Sequence, residues 1–193
     1  MTSTSTRIIA GLAALASAVV VSSCSKTEDH SAHPSSAATA SAQVAVHNAD
    51  DVMFAQMMIP HHQQAIELSA MVPDRSTNPA VVKLAATISG EQQPEIAAMK
   101  ALLVQWDVRP DGDHGMAMQG MVDDATMAKL QALKGAEFDT LWLQSMISHH
   151  QGAIEMASTE IAKGESPDMV TMAKNIVTAQ QAEIDQMKQM LGG

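Results

Sequence analysis

The chain has 193 residues, with 21 acidic against 11 basic side chains, a formal net charge of −10, and 46% apolar positions. An acidic chain with no basic cluster, two Phe, two Trp and no Tyr lacks the phosphate contacts and stacking platforms of a nucleic-acid binder. Its single Cys excludes a disulfide framework, a cysteine zinc site and a cysteine-ligated iron–sulfur cluster. Sixteen methionines remain to be explained.

Residues 1–23 read as a lipoprotein signal peptide. Arg7 precedes an apolar run from Ile8 to Val21, too short to span a bilayer comfortably but suited to a secretory core, and Ser22-Ser23-Cys24 follows. This resembles a lipobox, with Val21 where Leu is commoner. Cleavage before Cys24 and acylation of its sulfur, for example with palmitate, are expected. The alternative is an ordinary cleavable signal with an incidental cysteine. Residues 24–48, rich in Ser, Ala, Thr and His, have too few large apolar side chains for a core and read as a flexible tether. The expected location is exported, lipid-anchored at the cell membrane, on its periplasmic or extracellular face.

The rest, residues 49–193, is a four-helix domain made of one helical hairpin written twice. Gln56–Glu67 matches Gln144–Glu155 and Ile88–Leu103 matches Ile176–Leu191, both at an offset of 88 residues without a gap. Repeat one covers about 49–106 and repeat two about 136–193. A Met-rich linker at 107–123 joins them, and a short helix at about Asp124–Lys134 leads into the second. The first helix runs from about Asn48 to Met71 and stops before Pro73. The second opens at Asn78-Pro79, an N-cap followed by proline at the first helical position. The third ends at Gly164, and Ser166-Pro167 opens the fourth. Pro60 and Pro94 each remove an amide donor inside a helix and favour a kink. Strand signals are absent, so the fold is all-α: two amphipathic hairpins burying their stripes against each other as a four-helix bundle.

The chemistry lies on the buried stripes. At helical spacing His61 and His62 flank Met58 on the apolar face of the first helix, as His149 and His150 flank Met146 on the third. Glu95 and Met99 fall within the apolar stripe of the second helix, as Glu183 and Met187 do on the fourth, with Gln92 and Gln180 beside them. A buried carboxylate must find a cation, a donor or a metal. One reading is a Glu–His hydrogen-bonded core with methionines filling gaps left by missing aromatics. The other is a metal site of Met58, His61, His62, Glu95, Met99, Met146, His149, His150, Glu183 and Met187, in which the glutamates either ligate or orient an imidazole. Duplication of the whole pattern favours the metal. Thioether plus imidazole is a soft set suited to copper, Cu(I) above all. In the linker His114, Met116, Met118 and Met121 either capture copper or belong to a solvated connector. His30, His33 and His47 of the tether are weak ligands or nothing. Met53, Met71, Met127, Met156, Met169 and Met190 read as packing, and Glu67 and Glu155 as solvated or in ion pairs.

The segments His61–Glu67, Phe138-Asp139, Met146–Met156 and the paired Gln-x-x-Glu-Ile-x-x-Met motifs resemble the bacterial domain-of-unknown-function family numbered three hundred and five, over about Asp50–Leu191. That resemblance implies a ferritin-like four-helix bundle, often exported, with some members linked to copper binding and resistance. It carries Met58, His61, His62, Met146, His149 and His150 over as ligands. The expectation is therefore a membrane-anchored protein that binds copper and buffers or hands it on, without catalysis or organic cofactor. Its partners are the metal ion, the membrane through lipid on Cys24, and either a copper-handling protein or a second copy. Two alternatives stand beside it. One is a metal-free structural or interaction module. The other is a di-metal oxidase, which usually wants four bundle glutamates and two Glu-x-x-His motifs; the stripes supply only Glu95 and Glu183.

Overall fold

A computed structural model describes residues 46–110 and 118–192. Within them lie six helices and no strand: α1 (Ala49–Ala70), α2 (Val72–Arg75), α3 (Pro79–Gln105), α4 (Asp124–Ala132), α5 (Gly135–Lys163) and α6 (Pro167–Met190). The four long helices are those expected from the repeat. Each start has a local cause. Asn48 caps α1 through Asp50 N and Asp51 N, while Asp51 answers the Asn48 amide to complete a capping box. Asn78 and Ser166 cap α3 and α6, each followed by proline where no donor is needed.

α1 ends at Ala70, before Pro73 as expected, and Pro73 then sits in the first turn of the short α2, where a missing N–H costs nothing. Gly164 caps α5 as expected, in an extended conformation (φ −66°, ψ 150°) rather than the left-handed one common at a glycine helix stop. Its requirement is space, because a Cβ there would run into the Glu160 carboxyl. Pro60 and Pro94 lie inside α1 and α3, and both helices continue through them.

Helices α1 and α3 pair along their length, as do α5 and α6, and the hairpins meet chiefly through α1 and α5. The Trp142 indole on α5 donates to the Leu68 carbonyl of α1 at 3.0 Å inside this seam. The apolar interior is divided in two. One cluster holds Leu68, Leu84, Ile88, Phe138, Trp142, Met146 and Met187; the other holds Phe54, Met58, Ile96, Met99, Leu103, Ala157 and Ile176. Every long helix therefore crosses from one core to the other. The crossing points are polar: His61 and His62 between Met58 and Ala65, Glu95 between Ile88 and Ile96, His149 and His150 between Met146 and Ala153, and Glu183 between Ile176 and Ile184. A polar layer divides the bundle at its middle.

Candidate metal centre

All four histidines of that layer are fully buried. His61 and His149, from facing helices of different repeats, approach to 3.7 Å between ring centroids with their planes 34° apart. On either side of this central pair stands a second-helix carboxylate. His62 Nε2 lies 2.8 Å from Glu95 Oε2, and His150 Nε2 lies 2.8 Å from Glu183 Oε2. The duplicated motif thus forms a single layer of two central and two flanking imidazoles.

The hydrogen bonds fix which nitrogen is free. A carbonyl can only accept, so the contact of His61 Nε2 with Gln119 O at 3.1 Å puts the His61 proton on Nε2. The carboxylates likewise take the Nε2 protons of His62 and His150. In a neutral ring held this way, Nδ1 keeps its lone pair. The Nδ1 atoms of His61, His62 and His150, and both ring nitrogens of His149, are buried without a hydrogen-bond partner among the described residues. Burial, reinforced by neighbouring imidazoles, pushes the His61 pKa from 6.5 down to about 3 and that of His149 well below its ordinary value. At physiological pH these two rings are neutral donors of lone pairs. Leaving buried polar atoms unpaired is costly, and a soft cation satisfies such a set.

Above and below this layer the sulfur is segregated. Met58 and Met99 belong to one core and Met146 and Met187 to the other, all four fully buried. Met58 and Met146 each stand one helical turn before a histidine pair. Glu95 and Glu183 contact imidazoles, which suits orientation of a ligand better than ligation. Gln92 and Gln180, one turn before them, are buried with unpaired amide atoms among the described residues. No three histidine, aspartate or glutamate side chains among the described residues converge as a metal cluster.

The linker reaches the layer by a route the sequence did not reveal. At repeat-equivalent positions stand Gln64 on α1 and Gly152 on α5. Gln64 grips the Val122 backbone twice, donating to its carbonyl at 2.9 Å and accepting from its amide at 2.8 Å. Gly152 makes room: a Cβ there would collide with the Gln119 carbonyl. Gly120, at φ +80°, rests on the carbonyls of Ser148 and His149. Together these place the Gln119 carbonyl on His61. Of the linker residues expected as ligands, Met118 and Met121 are half-buried beside this segment, whereas His114 and Met116 lie outside the described residues. His30, His33 and Cys24 also lie outside them, while His47 stacks on Trp106 at 4.6 Å and so has a packing partner. Glu67 and Glu155 are exposed, as expected.

Sequence reasoning missed a second polar cluster. Asp51 accepts from the amides of Asn48, Glu165 and Ser166 at 2.6, 3.1 and 2.9 Å, tying the start of α1 to the turn between α5 and α6. Buried Glu160 stands beside it. Burial, and then hydrogen bonding and repulsion from Asp51, push the Glu160 pKa up to about 8. Two ionised carboxylates offer no donor to each other, so the contact requires a proton, carried by Glu160. The capping pattern Asn48-x-x-Asp51 signalled half of this arrangement; Glu160 had no sequence signal.

A helical bundle of two repeated hairpins around a histidine layer is the class these features define. The chain belongs to the family DUF305, "domain of unknown function", which matches residues 51–191. A Streptomyces coelicolor DUF305 structure, described as a secreted protein, is 33% identical, covering 74% of this chain and 92% of that one, with a TM-score of 0.71. A DUF305 fragment from Deinococcus radiodurans is also 33% identical, covering 75% and 97%, with a TM-score of 0.69. CopM, solved with Cu(I) bound, is 36% identical over 72% of this chain and 94% of its own, with a TM-score of 0.64. CopM has also been solved with Cu(II) and with silver. The uncharacterized protein L153 of Acanthamoeba polyphaga mimivirus is 39% identical over 54 residues; the chain spans about a third of it, 36%.

Proposed function

We propose that this chain binds copper as Cu(I) in the histidine layer, outside the cytoplasm, and holds or hands on the ion without transforming it. The observation that carries the reading is the set of buried imidazole nitrogens left without partners by hydrogen bonds that fix the opposite edge of three of the four rings. His61, His62, His149 and His150 supply the nitrogens, and Met58 and Met146 the nearest thioethers by helical spacing. Glu95, Glu183 and the Gln119 carbonyl hold imidazoles in the required tautomer. Soft donors in a water-poor interior favour the monovalent ion. The Cu(I)- and silver-bound forms of CopM support the same assignment by likeness.

Export and lipid attachment at Cys24 complete the proposal. They rest on the apolar run and the Ser22-Ser23-Cys24 sequence, and likeness to a DUF305 protein described as secreted agrees with them. No helix among the described residues is long and apolar enough to cross a membrane. The donor set supports a non-catalytic role: both layer carboxylates are engaged with imidazoles, whereas di-metal oxidases bridge their ions with several.

Anaerobic Cu(I) titration against a chromophoric competitor tests the reading. The mature chain is expected to bind Cu(I) far more tightly than a variant with all four histidines replaced. Equal affinity of the two would exclude the histidine layer as the site.

A further inference from the structure

We propose that a second soft-cation site, separate from the histidine layer, lies at the outer end of the α1–α5 seam, with Met53, Met57 and Met156 as its thioether ligands. These three side chains line one cavity of about 180 Å³ together with Asp50, Phe54 and Glu160. Met53 and Met57 are one helical turn apart on α1, so their side chains share a face. Met156 faces them from α5. All three residues are half-buried, so the cavity they line is open to solvent.

Packing alone does not account for sulfur here. At the opposite end of the bundle the repeat-equivalent positions hold Leu141 for Met53, Ser145 for Met57 and Leu68 for Met156. There Phe138 and Val72, in place of Asp50 and Glu160, are fully buried with Leu68 in closed core. One end of a duplicated bundle is filled with hydrocarbon; the other keeps a cavity, three thioethers and two carboxyls. Glu160 closes the wall of the cavity: it is 1% exposed and its proton is engaged with Asp51. Asp51 beside it takes three backbone amides and leaves none for Glu160. A cation in the cavity would meet a soft sulfur face, with the Asp50 carboxyl at its edge. Long unbranched thioether side chains turn easily, so three of them can close on one Cu(I) or Ag(I).

The test follows the methionine methyl signals of the full mature chain, labelled with 13C-methyl methionine, during titration with Ag(I). The signals of Met53, Met57 and Met156, assigned from Leu variants, are expected to move together and to saturate with one equivalent beyond that taken up by the histidine layer. M57L should weaken the response of the other two at least tenfold while leaving the melting temperature within a few degrees. The same three signals should still respond in H61L/H149L, which separates this site from the histidine layer. If they stay still in both backgrounds through several equivalents, or drift independently without saturating, the site does not exist and the cavity is an apolar pocket only.

Discussion

In the first hairpin His62 meets Glu95 at 2.8 Å with the carboxylate side chain 23% exposed; in the second His150 meets Glu183 at the same 2.8 Å with 9% exposed. The inner donors have kept one geometry while their surroundings have diverged. Gln64 clasps the linker where Gly152 yields to it, Pro60 and Pro94 face Ser148 and Ala182 across the repeat, and Met53, Met57 and Met156 face Leu141, Ser145 and Leu68. Duplication preserved the histidine–glutamate contacts at the centre, where all four long helices meet. Away from the centre the repeat-equivalent side chains differ.

Predictions follow from breaking that comparison. The largest effect is expected from H61L/H149L, which removes the pair where the halves meet. High-affinity Cu(I) binding should disappear, while the metal-free protein gains roughly 1–3 kcal/mol because unpaired buried groups have gone; titration and thermal melting read the two effects separately. A melting temperature that falls instead would show those rings to be satisfied core residues.

Removing one flanking carboxylate distinguishes the halves. Glu95→Ala and Glu183→Ala should each lower Cu(I) affinity by about 10- to 100-fold. The Glu183 variant should suffer more, because water replaces the more exposed Glu95 more readily. Competition titration of the two variants side by side decides this, and an equal loss would mean that exposure is irrelevant.

The linker contacts come next. Gly152→Ala forces the Gln119 segment off α5, at a cost of about 1–3 kcal/mol. Gln64→Ala removes two hydrogen bonds, costing about 1–2 kcal/mol. Denaturant unfolding measures both. In each, the His61 Nε2–H should exchange faster, since its acceptor Gln119 O is displaced.

The smallest effect is a dependence on pH. His61 and His149 have depressed pKa values, so their contribution to stability is complete above 6.5 and fades as pH falls, for His61 toward about 3. Glu160 has a raised pKa, so its contribution is complete below 4.5 and fades as pH rises to about 8. With two groups pulling one way and one the other, these residues place the stability maximum of the metal-free protein near pH ~6.5. Glu160→Gln should abolish the decline on the alkaline side; an unchanged profile would remove Glu160 from the explanation.

Much of this was legible in the residues. Asn78-Pro79 and Ser166-Pro167 announced helix starts, and the 88-residue offset placed both His-His pairs and both glutamates on buried stripes. Helical periodicity is a local property, so it survives without the fold. What was hidden depends on partners distant in the chain. Gln119 reaches His61 across 58 residues, and Asp51 reaches Ser166 across 115. The mismatch of Gln64 with Gly152 inside an otherwise faithful repeat was the available clue to the linker's path. Met53 and Met156 read as packing because only the assembled seam brings them to one cavity.

The central claim is that unpartnered imidazole nitrogens receive the ion, and 15N spectra of histidine-labelled protein test it most directly. Before metal is added, His61 should show Nε2 protonated and Nδ1 bare. With Ag(I) or Cu(I), Nδ1 signals should shift strongly while the Nε2–H signals of His62 and His150 remain bonded to Glu95 and Glu183. Unmoved Nδ1 signals at saturating metal would contradict the account.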